Sequence, residues 1–181
     1  MRLFFAVELP AEVRAALGRL RSGGDDYRWV DAAQLHMTLA FLGEQPEEAL
    51  PQLEQIGATA AGGSSAGKLR LAEAGSFGPR SAPRVLWVGL GGGLPDLLAL
   101  QANLARELRA GGFVLEDRPF SPHITLARRH ERAAAGRPEW PPSADRIPSG
   151  TIPLRELVLF QSKLSPKGAS YIALGTYPLR A

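Results

Sequence analysis

Apolar, β-branched runs interleave with amphipathic helical stretches along this chain, which places it in the α/β or α+β class. Two observations sharpen that class into a pair of similar lobes. The order apolar strand, helix, second strand occurs twice, and each second strand carries the same segment, His-x-Thr-Leu-Ala. No cysteine occurs in the 181 residues, so disulfides, cysteine nucleophiles, zinc ribbons and iron–sulfur clusters are excluded together. A chain of this length buries enough apolar surface without such staples, and one domain of two interleaved lobes over residues 1–181 is the expected organisation.

The elements follow in order. Leu3 to Leu9 is apolar and aromatic and reads as a strand closed by Pro10. Pro10-Ala11-Glu12 opens a helix with Val13, Ala16, Leu17 and Leu20 on one face, stopped by Gly23-Gly24. Trp29-Val30 and Gln34 to Leu42 read as extended, ending at Gly43. Pro46-Glu47-Glu48 begins a second helix through Leu50, Leu53 and Ile56, and the run Gly62 to Gly67 is a turn. Lys68 to Gly75 alternates as a half-buried strand, and Arg84 to Leu90 is a stronger one. Pro95 opens a long helix through Leu97, Leu98, Gln101, Leu104 and Leu108, stopped by Gly111-Gly112. Phe113 to Leu115 and His123 to Ala127 are expected to be extended, and residues 129–150 to form a long exposed loop. Thr151 to Ser162 reads as one strand, with a tight turn at Ser165-Pro166-Lys167-Gly168 and a hairpin partner at Tyr171 to Leu174.

The formal net charge is +3, and all but Lys68, Lys163 and Lys167 of the 21 basic residues are arginine. Arginine suits bidentate recognition of phosphate, yet a chain rich in Ala, Gly, Pro and Arg carries many arginines by composition alone. The balance permits a nucleic-acid partner without demanding one. No apolar run approaches the roughly 20 residues of a membrane span. The first apolar run is short and holds Glu8, unlike a signal peptide, so a cytoplasmic protein with no membrane partner is expected.

The chemistry lies in the repeated segment. His36-Met37-Thr38-Leu39-Ala40 and His123-Ile124-Thr125-Leu126-Ala127 take up two of the three histidines and fall in different halves of the chain. In a strand, positions i and i+2 share a face about 6.5–7 Å apart, while i+1 and i+3 face the opposite way. Each segment therefore presents an imidazole and a hydroxyl together, anchored from behind by Met37 and Leu39 or by Ile124 and Leu126. Two such strands facing one another surround a phosphate with two imidazoles and two hydroxyls. Opening a cyclic phosphodiester needs a neutral imidazole to take a proton from water and a protonated one to cap the leaving oxygen. Histidine, with an ordinary pKa near 6.5, reaches both states at neutral pH. The hydroxyls donate to the non-bridging oxygens, and no metal or cofactor is required. A lone strand histidine is ordinarily structural, but two matched His/Thr pairs favour chemistry. A zinc site adding His130 lacks any fixed ligand spacing, and His130 reads as a solvated loop residue.

These residues resemble the two-histidine (2H) phosphoesterases, and within them the RNA 2′,3′-cyclic phosphodiesterases long called 2′-5′ RNA ligases. The resemblance runs through Arg2 to Pro10, Leu35 to Gly43, Pro122 to Arg128, Leu159 to Ser162 and Tyr171. It implies a bilobal α+β fold with a central cleft. It also implies metal-independent opening of an RNA 2′,3′-cyclic phosphate end to a 2′-phosphomonoester, with reversible 2′-5′ ligation at the same site. Carried onto matching positions, His36 is the proton donor and His123 the proton acceptor, beside Thr38 and Thr125. Phe41 would stack on a base and Arg128 would contact phosphate. On an ideal strand an offset of five faces away from the histidine, so both reach the cleft only if each strand twists or bulges. Phe4, Phe5, Trp87 and Phe160 are expected in the core, with Ser162 and Tyr171 as further residues that could line the cleft.

The expected partners are RNA ends such as tRNA fragments, and nucleotides, bound by a monomer. Two alternatives remain open at this level. One keeps the site but takes a small cyclic phosphate such as ADP-ribose 1″,2″-cyclic phosphate; the other is a non-catalytic RNA- or nucleotide-binding module.

Overall fold

The computed structural model describes residues 1–22, 25–131, 133, 139–165 and 168–181. The expected stop at Gly23-Gly24, the turn residues Pro166-Lys167 and part of the 129–150 loop lie outside them. The strands are β1 (Arg2–Glu8), β2 (Tyr27–Trp29), β3 (His36–Glu44), β4 (Gly67–Phe77), β5 (Val85–Gly91), β6 (His123–Arg129), β7 (Thr151–Leu154), β8 (Glu156–Ser165) and β9 (Gly168–Pro178). The helices are α1 (Ala11–Gly18), α2 (Leu50–Gly62) and α3 (Leu94–Ala110).

Two sheets form, with strand orders β3-β1-β8-β9 and β2-β6-β5-β4-β7, and every pairing of named strands is antiparallel. Antiparallel sheets, with the helices outside any parallel βαβ crossover, resolve the class to α+β. The repeated element order is realised as β1-α1-β3 and β5-α3-β6: in each sheet the motif strand lies beside the apolar strand that begins its unit. The chain's last two strands, β8 and β9, return to the sheet of β1.

β1 reads as an unbroken apolar run because both of its faces are covered. Leu3, Phe5 and Val7 join the main core, which extends through Leu53, Leu97, Leu104 and Ile124. Phe4 and Ala6 face the other way and form a separate small cluster with Val158, Phe160 and Tyr171. Helix α2 packs on β8, β9 and α3. Gly57 permits its close approach, since a Cβ there would lie 2.5 Å from the Tyr177 ring and 3.0 Å from Phe5.

Several expectations are corrected. The run Thr151 to Ser162 is two strands in different sheets: β7 pairs with β4, and β8 with β1. Pro153, lacking an N–H, is accommodated because β7 is an edge strand. Phe113 to Leu115 is not a strand. The Phe113 N–H returns to the Leu108 carbonyl and Gly112 N–H to that of Arg109, a helix-ending motif completed by Gly112 at φ 85°. The second helix begins at Leu50, after a 3-10 turn over Glu47–Ala49. Another 3-10 turn, Ala32–Gln34, capped by the Asp31 carboxylate, takes up Gln34, which reads as the first residue of the extended run, so the strand begins at His36. The loop over 129–150 is not wholly exposed: Trp140 is buried, and its indole N–H donates to the Gly75 carbonyl at 2.7 Å.

Candidate active site

The two motif strands are where the sheets meet, for β3 and β6 contact one another across them. Their burial follows one pattern over six residues: half-buried His, buried Met or Ile, half-buried Thr, buried Leu, buried Ala, exposed Phe41 or Arg128. Alternation breaks after the fourth residue in both, and the register shows why. Opposite β1, Glu8 pairs with His36, Ala6 with Thr38 and Phe4 with Phe41, leaving Leu39 as an extra residue. Opposite β5, Gly89 pairs with His123, Trp87 with Thr125 and Val85 with Arg128, leaving Leu126 extra. Each insertion is a β-bulge, which restores the sixth residue to the histidine's face. Phe41 thus shares a face with His36 and Thr38, and Arg128 with His123 and Thr125.

Both imidazoles are pinned alike. Nδ1 of His36 lies 2.7 Å from the Gln34 carbonyl, and Nδ1 of His123 lies 2.7 Å from that of Ser121, each two residues upstream. A carbonyl oxygen only accepts, so each Nδ1 carries the hydrogen and donates it. Each neutral ring then presents an unprotonated Nε2, the atom able to take or, once charged, give a proton.

Aromatic rings hold the imidazoles from other sides. Phe4 stacks on His36 with centroids 4.9 Å apart, and Tyr171 meets it edge-on at 4.9 Å. Phe77 meets His123 edge-on at 4.9 Å, with Trp87 at 6.3 Å. The core expectation holds for Phe4, Phe5 and Phe160, all buried, with Phe4 and Phe160 in the small core cluster beside His36; Trp87 is only half-buried and adjoins His123. Gly75 leaves room for that indole, since a Cβ would lie 2.4 Å from it. Tyr171 lies on the site; Ser162 sits opposite it on β8.

The rings share an electrostatic environment. Burial is the largest influence on both and lowers their pKa below 6.5; the carbonyl hydrogen bond opposes it, and the Arg128 cation lowers both further. The Arg128 guanidinium, carried on the His123 strand, is thus a cause common to both rings. Arg128 is exposed, and its guanidinium has no hydrogen bond or ion pair among the described residues. Phe41 is 42% exposed, with the Arg2 guanidinium 5.0 Å from its ring centroid. His130 is exposed, and its backbone N–H donates to the Asp26 carbonyl at 2.9 Å. Among the described residues no three His, Asp or Glu side chains gather as a metal-binding set.

Sequence reasoning missed Phe77, Arg2 and the carbonyls of Gln34 and Ser121. The carbonyls had a signal, their common offset of two from each histidine. The aromatic neighbours had none, because they reach the rings through register with other strands.

A family model described as the 2′-5′ RNA ligase superfamily matches residues 9–164. A Thermus thermophilus protein named RNA 2′,3′-cyclic phosphodiesterase is 38% identical over an alignment covering 99% of this chain and 91% of its own length. An Escherichia coli protein of the same name is 38% identical, covering 70% of this chain and 71% of its own. The solved structure of TT0787 from Thermus thermophilus matches with a TM-score of 0.79 and 36% identity, covering 99% of this chain and 98% of that one. E. coli LigT complexed with 3′-AMP matches with a TM-score of 0.78 and 32% identity, covering 98% and 97%. Two lobes, each lending a His/Thr strand to one cleft, make this the bilobal α+β fold of the 2H phosphoesterases. The chain belongs to the 2′-5′ RNA ligase superfamily.

Proposed function

We propose that this protein opens a 2′,3′-cyclic phosphate at an RNA end to a 2′-phosphomonoester and a free 3′-hydroxyl, without a metal. The observation that carries the reading is the matched pair of imidazoles, each pinned through Nδ1, each presenting Nε2 and each sharing a strand face with a threonine. The proteins it is similar to carry the corresponding name.

In this scheme His123 Nε2 takes a proton from water as the water oxygen bonds to phosphorus. The bond from phosphorus to the 3′ oxygen breaks, and His36 Nε2–H supplies the proton that leaves a 3′-hydroxyl. One water is consumed, and the two imidazoles exchange protonation states. The Thr38 and Thr125 hydroxyls donate to the non-bridging oxygens, where charge builds, and Arg128 balances that charge. Phe41 stacks on the terminal base, as sequence-tolerant aromatic platforms do. Burial and Arg128 disfavour the protonated imidazole that the acid role requires, and the substrate's phosphate anion offsets both. With a 5′-hydroxyl in place of water, the same proton transfers join two strands through a 2′-5′ linkage. Every group in the scheme comes from one chain, so a monomer suffices.

The test is product identity. Chelator-treated enzyme is incubated with an oligonucleotide ending in a 2′,3′-cyclic phosphate, and the product is compared with 2′- and 3′-phosphate standards. The 2′-phosphate is expected. A 3′-phosphate, no turnover, or activity that vanishes with chelator and returns with zinc would overturn the scheme.

A further inference from the structure

We propose that the pocket lined by His36 at the end of its strand is a second nucleobase subsite, seating the base of the nucleotide that precedes the cyclic phosphate; this rests on the function proposed above. The pocket has a volume of about 180 Å³, and its lining includes Glu8, Arg14, Gln34, Phe160, Ser170 and Tyr171. It draws on three parts of the fold: the end of β1 with the start of α1, the 3-10 turn before β3, and the β8-β9 hairpin.

Its chemistry selects a base over a second phosphate. The Glu8 carboxylate is exposed, has no ion-pair partner among the described residues, and would repel an anion. A carboxylate accepts readily from the exocyclic amino group of cytosine, and by the same chemistry from that of adenine or guanine. Arg14 commits one N–H to the Ala33 carbonyl at 3.2 Å, and its other donors suit ring nitrogens and carbonyls. Gln34 offers both a donor and an acceptor, and Phe160 and Tyr171 supply aromatic walls. Aromatic walls with hydrogen-bonding edges are how unstacked RNA bases are read.

The position fits a neighbour of the terminal base. The pocket adjoins the His36 end of the strand face, while Phe41 lies five residues further on, about 13–17 Å along an extended strand. One base cannot occupy both places. Two splayed bases can, with the reacting phosphorus near His36 and Thr38 between them.

The test compares kcat/KM for a mononucleoside 2′,3′-cyclic phosphate and for the dinucleotide with the same terminal nucleoside. The wild-type protein is expected to favour the dinucleotide by about tenfold or more, the scale of one stacked base, and uridine to be the poorest preceding nucleoside because it lacks the amino group. Arg14→Ala, and Ser170→Trp to fill the pocket from an exposed strand position, should each lower the dinucleotide-to-mononucleotide ratio at least threefold while circular dichroism stays native. A wild-type ratio near one, or a ratio that neither folded variant changes, overturns the subsite. If the wild-type protein opens neither compound, the underlying function fails instead.

Discussion

Replacing Arg128 with glutamine tests the coupling of the two half-sites, because one cation acts on both imidazoles. Two effects should separate. The first is a loss of phosphate binding. A hydrogen bond to a charged group is worth about 1.5–3 kcal/mol, and each 1.4 kcal/mol is roughly tenfold. The expected fall in kcat/KM is therefore about 10- to 150-fold. Arg128 is exposed, so hydration places the result toward the lower end. The second effect is on titration. Removing a cation that lowers both pKa values raises both, so both limbs of the pH profile for kcat/KM, which report the free enzyme, should move to higher pH. The assay is initial rate on a cyclic-phosphate oligonucleotide from pH 5 to 9. A rate loss with both limbs unmoved would show that Arg128 binds substrate without sensing the histidines, and limbs moving to lower pH would contradict the electrostatics outright.

Further outcomes follow from the same geometry. Burial holds both histidines below the ordinary value of 6.5, so the unfolded chain binds protons first as pH falls; this stability is fully present above 6.5 and is lost as pH drops through the folded values. His36→Gln should flatten the fall in melting temperature between pH 7 and 5, and an unchanged slope would refute the assignment. Phe41→Ala should raise KM for an oligonucleotide roughly fivefold with kcat unchanged, as expected for about 1 kcal/mol of stacking on a half-exposed ring; an unaltered KM would leave Phe41 a surface residue. Trp140→Ala removes a buried indole and its hydrogen bond to Gly75, so urea unfolding should report a loss of about 3–5 kcal/mol, and a loss below about 1 kcal/mol would mean the segment is not anchored there.

What the sequence made legible depended on the range of the interaction. Local periodicity and glycine and proline placement located β1, β5 and α3, and the repeated His-x-Thr-Leu-Ala segment located both motif strands. Contacts set by distant partners were not legible. Pro153 and the charged pair Arg155-Glu156 interrupt the run Thr151 to Ser162, but which sheet each part joins is set by the strands it meets. Trp140 sits in a polar, proline-rich stretch whose composition reads as exposed, yet its ring has a place beneath Gly75. At the site, the His/Thr faces followed from strand geometry alone. The faces of Phe41 and Arg128 did not, because Leu39 and Leu126 are ordinary strand residues that become bulges only against β1 and β5. The carbonyl contacts at Gln34 and Ser121 were within reach of the sequence, since they repeat at a fixed offset.

Imidazole nitrogen NMR of the free protein and of its complex with a nucleoside 2′-monophosphate probes the two-histidine cleft most directly. In the free state at high pH, His36 and His123 should both show the tautomer with hydrogen on Nδ1, and one equivalent of ligand should shift both Nε2 resonances while leaving His130 unchanged. A ligand that moves only one of the two rings, or a neutral ring protonated on Nε2, would contradict a single phosphate held between them.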